Sequence, residues 1–139
     1  MRARRLIFER EEELCELVSK YAKRRGFTRQ ARELPFFEYR IDLYGFSKPT
    51  GDTIAVELKI KDWRRALYQA LIYQLCSDYV FIALPETNAR LVDESELARH
   101  GVGLIAVGAL GQCRVRLEAA RSTEVRDHYR EQYAEILAR

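Results

Sequence analysis

Asp42 and, beyond a turn, Glu57-Leu58-Lys59 are the residues whose types and spacing suit chemistry. Each lies in a segment with strand periodicity. In the first, Phe37, Tyr39, Ile41 and Leu43 alternate with Glu38, Arg40, Asp42 and Tyr44. In the second, Ile54, Val56, Leu58 and Ile60 alternate with Ala55, Glu57, Lys59 and Lys61. Strand side chains have a period of two. The apolar set is expected to pack on a core, with Asp42, Glu57 and Lys59 together on the opposite face. Lys48-Pro49-Thr50-Gly51-Asp52 has turn chemistry and joins the strands. Two neighbouring carboxylates repel each other unless a cation lies between them. A hard divalent ion with oxygen ligands would fit.

The elements that must position these residues can be read along the chain. Residues 6–25 read as a helix with an apolar stripe of Ile7, Leu14, Leu17, Val18 and Tyr21, stopped by Gly26. Residues 29–34 suit a short edge strand, and strands follow at about 36–46 and 53–61. Asp62 is a good N-cap for a helix over 63–77. Tyr79–Leu84 is a continuous apolar run bounded by Pro85, as in an interior strand. Asp93 with Glu96 resembles a capping box for a short helix ending near Gly101. Leu104–Val107 and Cys113–Leu117 are further strands, and residues 123–138 a last amphipathic helix. This order implies an α/β (α+β) fold, a mixed β-sheet flanked by helices, in one domain over residues 1–139.

Composition narrows the function. The chain has 139 residues, of which 47% are hydrophobic and 32% charged, with a net charge of +3. No apolar run approaches a membrane span, and the basic start lacks the apolar stretch of a signal peptide. The expectation is a cytoplasmic protein with no membrane partner. Cys15, Cys76 and Cys113 lack metal-site or redox spacing and are expected to be buried thiols. Basic clusters occur at Arg2, Arg4 and Arg5, at Lys23 to Arg32, and at Lys59, Lys61, Arg64 and Arg65. Such patches suit a phosphate backbone, although any one of them also serves as a solvated face.

An Asp followed by Glu-x-Lys on a neighbouring strand resembles the PD-(D/E)XK phosphodiesterase superfamily, the restriction-endonuclease-like nucleases. Two further elements strengthen the likeness. Gln69-Ala70-Leu71-Ile72-Tyr73 resembles the Q-h-x-x-Y element of RecB-like members. Glu11, which helical projection places on the inner side of the first helix, resembles the acidic residue of Holliday-junction-resolvase-like members. The same projection puts Glu12 and Glu16 on the solvated face. The resemblance spans roughly residues 6 to 85. It departs where the family's Pro before the Asp is Ile41 here.

What the resemblance implies is a nuclease that hydrolyses phosphodiester bonds in DNA with Mg2+ (or Mn2+) and no small-molecule cofactor. Asp42, Glu57 and the Leu58 carbonyl would hold the ion, and Glu11 would be a direct or water-bridged ligand. Lys59 would orient the attacking water or stabilise developing charge. Gln69 and Tyr73 would contact the phosphate or a flanking nucleotide. Lys61, Arg64 and Arg65 would bind nucleic acid. Taken singly, each pair has a plainer use: Glu57 and Lys59 as a surface charge pair, Gln69 and Tyr73 as a bonded pair on a helix flank. The alternatives are a catalytically inactive nucleic-acid-binding or protein-interaction module retaining the fold, and a different metal-dependent hydrolase. Substrate choice would come from loops, a partner or a homodimer, for which Tyr129 and Tyr133 are interface candidates, with core packing as their other use.

Overall fold

The structure is a computed structural model, and it describes residues 5–139. One six-stranded mixed sheet runs in chain order, β1 (Arg29–Phe36), β2 (Tyr39–Phe46), β3 (Thr53–Leu58), β4 (Tyr79–Pro85), β5 (Gly103–Val107) and β6 (Cys113–Leu117). Neighbours are antiparallel except β3/β4 and β4/β5, which are parallel. The crossover between β3 and β4 carries α2 (Trp63–Tyr73), and that between β4 and β5 carries α3 (Glu86–Ala89) and α4 (Glu94–His100). Helices α1 (Glu11–Arg24) and α5 (Asp127–Ala138) lie at the two ends of the chain. This is the α/β (α+β) class expected. Among the described residues, no helix is long and apolar enough to cross a membrane.

Both faces of the sheet are covered, which corrects the expectation of one core face. Leu14, Cys15, Val18 and Ala22 of α1 cover Leu43, Ile54, Val56 and Phe81 on one face. Ala66, Leu67, Ala70 and Tyr73 of α2 cover Tyr44, Ala55 and Ile82 on the other, with α4 and α5 beside them. Tyr44, expected beside Asp42 on an open face, is fully buried and donates to the Cys76 carbonyl at 2.6 Å.

Helix α1 starts five residues later than its apolar stripe implied. The Glu13 carboxylate accepts the Arg10 amide at 3.0 Å, and three acidic residues fill the first turn, where the helix dipole favours them. Ile7 therefore lies outside the helix and is exposed. The other end stops as expected, with Gly26 at φ 100° and its amide on the Lys23 carbonyl. Helix α2 starts on Asp62 as expected but ends at Tyr73, short of residue 77. β1 runs to Phe36 and turns through Phe37 and Glu38, so Phe37 is an exposed turn residue at φ 55° rather than part of the β2 alternation. Cys113 is only half-buried, unlike Cys15 and Cys76.

The C-terminal helix is tied down by charge. Asp78 accepts the Thr53 amide at 2.8 Å and Arg130 Nε at 3.0 Å. Burial pushes its carboxyl up, but the bonds from Arg130 and Thr53 outweigh that and hold it below the usual carboxylate range. Tyr129 and Tyr133 meet Phe36 edge-to-face at 5.3 and 6.3 Å, so core packing uses both residues proposed for a dimer interface.

Candidate active site

The ladder between β1 and β2 pairs Arg32 with Leu43 and Leu34 with Ile41, but skips Glu33 and Asp42. Glu33 there has a left-handed φ of 56°, uncommon for a residue with a Cβ. The β2–β3 ladder also ends, at Leu43 with Val56. β2 diverges at this point, and Ile41 packs in the cluster of Tyr44 and Ala55 rather than that of Leu43. Strict alternation along β2 is thereby broken. A cleft of about 410 Å³ opens where the ladders lapse, walled by α1, the middles of β1 and β2 and the end of β3.

The cleft brings together Glu11, Asp42, Glu57, Leu58 and Lys59, as the spacing implied. The Asp42 carboxylate accepts the Leu58 amide at 2.8 Å, so a side chain continues the hydrogen bonding where the backbone pairing stops. The Lys59 amide donates to the Ala83 carbonyl at 3.0 Å, which fixes the strand end against β4. Glu57 is only 4% exposed. Burial first, and then the neighbouring Asp42 charge, push its pKa up to about 8. Burial also raises Asp42, although the Leu58 amide and a hydrogen bond from Glu57 favour its ionised form. Burial thus favours the neutral form of this pair, most of all at Glu57.

Tyr73 reaches this pair from behind. Its hydroxyl lies 2.9 Å from Glu57 Oε1 and 3.0 Å from the Arg40 carbonyl, and the side chain is fully buried. Buried there, it holds Glu57 rather than contacting the phosphate or flanking nucleotide that the resemblance implied. Gln69 is half-buried on α2 and does not line the cleft. Lys61, Arg64 and Arg65 are exposed and also stand outside it, with Arg64 lying over the Trp63 ring at 4.5 Å.

Besides Cys15, expected only as a buried thiol, three wall residues were not assigned to the site from sequence. Arg32 and Glu33 arrive from β1, and Glu12, placed by projection on the solvated face, lines the cleft beside Glu11. The basic cluster around Arg32 and the register of an edge strand opposite Asp42 were the available signals. Glu12 lines the wall while staying exposed, as the projection implied.

The donor set suits a hard cation. Mg2+ takes one or two carboxylates and keeps waters or phosphate oxygens for the rest of its octahedron. Asp42 and Glu57, which line the same cleft, fit that need. Among the described residues, no three His, Cys, Asp or Glu side chains cluster closely enough to cage a metal. Glu11 lines the cleft along with the carboxylate pair.

No family model matches the chain, and no curated protein matches it. It is similar in structure to a protein of unknown function from Silicibacter pomeroyi, with a TM-score of 0.69 and 19% identity, covering 96% of this chain and 86% of that one. That likeness establishes a shared fold.

Proposed function

We propose that the chain is a metal-dependent nuclease of the PD-(D/E)XK kind, hydrolysing phosphodiester bonds in DNA. The observation that carries this reading is the buried Glu57 with half-buried Asp42 and Lys59 in one polar cleft. A shielded carboxylate pair costs stability unless a cation compensates it. Asp42, Glu57 and the Leu58 backbone would hold Mg2+ (or Mn2+), with Glu11 as a direct or water-bridged ligand. The ion, when bound, supplies Lewis acidity at the phosphoryl group and acidifies a coordinated water. Asp42, through the Leu58 amide, holds the strand end that carries both Glu57 and Lys59. Tyr73 fixes the Glu57 carboxyl from the core side. Lys59 orients the attacking water and stabilises charge developing on the phosphate.

A second reading has its own support. Gln69, Lys61, Arg64 and Arg65 stand outside the cleft, as they would in a catalytically inactive nucleic-acid-binding module that keeps the fold. Cleavage of a panel of double-stranded, single-stranded and branched DNA, with and without Mg2+ and with Lys59→Ala as control, separates the two. Metal-dependent cleavage abolished by Lys59→Ala supports the nuclease. Binding without cleavage supports the module.

A further inference from the structure

We propose that Arg32 is the phosphate-binding residue of the cleft, and that Glu16 holds its guanidinium until a phosphate displaces it. The proposal deepens the nuclease reading and rests on that cleft. The cleft presents five carboxyls against two cations, Arg32 and Lys59. A diester anion entering it meets net repulsion that a single divalent ion only partly offsets. Lys59 stands at the end of β3 beside the carboxylate pair. Arg32 comes from β1 and forms the other wall. Its planar fork is the donor geometry that matches two phosphate oxygens, which an ammonium does not reproduce.

Arg32 Nη2 donates to Glu16 Oε1 at 3.0 Å, spanning from β1 to α1. Glu16 is not itself a wall residue, so the pair draws the guanidinium toward the helix. The two side chains are 45% and 62% exposed. Exposed pairs contribute little, so exchanging the Glu16 carboxylate for a phosphate is cheap. Both side chains are exposed enough for their replacement to leave the core untouched.

The test is binding of labelled duplex and single-stranded DNA to the full chain in Mg2+. It is followed by anisotropy across a salt series, on a Lys59→Ala background so that the DNA stays intact. Arg32→Ala should weaken binding by about tenfold and flatten the log K versus log salt slope by about 1. Arg32→Lys should keep the slope and lose part of the affinity. Glu16→Gln should tighten binding by up to about fivefold, the value of an exposed pair, and the gain should vanish in combination with Arg32→Ala. An unchanged slope in Arg32→Ala overturns the proposal, as does a Glu16→Gln gain that persists without Arg32. Cleavage by the unaltered chain judges the nuclease reading separately. Cleavage with an unchanged Arg32→Ala slope sinks only the Arg32 role. A changed slope without any cleavage keeps Arg32 as a phosphate contact and sinks the nuclease. Failure of every variant to bind overturns the Arg32 role, and the nuclease reading falls with it if the unaltered chain also fails to cleave.

Discussion

The Tyr73 hydroxyl, fully buried, lies 2.9 Å from Glu57 Oε1 and 3.0 Å from the Arg40 carbonyl. One side chain of α2 thus joins the carboxylate of β3 to the backbone of β2. Tyr73→Phe removes that link and leaves the carbonyl without its donor. It should cost about 1–3 kcal/mol of stability, the range for a buried group left unpaired. Mg2+ affinity should fall as well, because Glu57 loses its fixed orientation. Denaturant unfolding and calorimetry check the two effects. Unchanged values in both would make Tyr73 a bystander.

The carboxylate pair makes a prediction with a definite pH sign. Glu57, with its pKa near 8, is favoured in its neutral form by the fold, against about 4.3 in an unfolded chain. The stability from that preference is fully present below about pH 4 and is lost as pH rises through about 8. Glu57→Gln keeps the neutral shape. In chelator, its melting temperature relative to the unaltered chain should therefore rise with pH between about 4 and 8 and level off above that. Glu57→Gln and Asp42→Asn should both lose Mg2+ and Mn2+ binding by calorimetry. Full metal binding in both variants would remove these residues as ligands.

Asp78 titrates in the opposite sense. Its carboxyl is held below the ordinary carboxylate range, so its contribution is present above about pH 4 and fades as pH falls through the lowered value. Asp78→Asn keeps the shape and loses the charge that Arg130 and Thr53 bond to. It should cost about 1.5–3 kcal/mol at pH 7, the scale of a hydrogen bond to a charged group, and the deficit should shrink in strong acid. Urea unfolding of both proteins from pH 7 down to pH 2 measures this. A deficit independent of pH would mean that packing, not charge, is what Asp78 supplies.

Glu11 and Glu12 share one wall, which permits a direct comparison. Glu11→Gln should lower cleavage by about tenfold or more, at least ~1.4 kcal/mol in the transition state. Glu12 is more exposed, its side chain 76% accessible, and its replacement should matter less. Steady-state cleavage rates decide. A dispensable Glu11 would leave a site built on Asp42, Glu57 and Lys59.

Much of this was legible in the sequence, because it is carried by local signals. Turn residues between Ser47 and Asp52, the Asp62 cap and the Gly26 stop each act within a few positions. They determine the order of elements, and that order puts Asp42 and the Glu57-Leu58-Lys59 segment on adjacent strands. Long-range packing determined the rest. Period-two alternation identifies two sides of a strand but not whether a second layer covers the polar one. Helix α2 covers it here, and that layer buries Glu57, raises its pKa and brings Tyr73 in behind it. Arg32 and Glu33 reach the cleft because the β1–β2 ladder lapses opposite Asp42, a distortion that no nearby residue pattern announces. Gln69 belongs to the same motif as Tyr73 yet neither lines the cleft nor bonds to Glu57, because its position depends on how α2 is rotated against the sheet. That rotation is settled by contacts between residues far apart in the chain, and the spacing along one helix does not contain it.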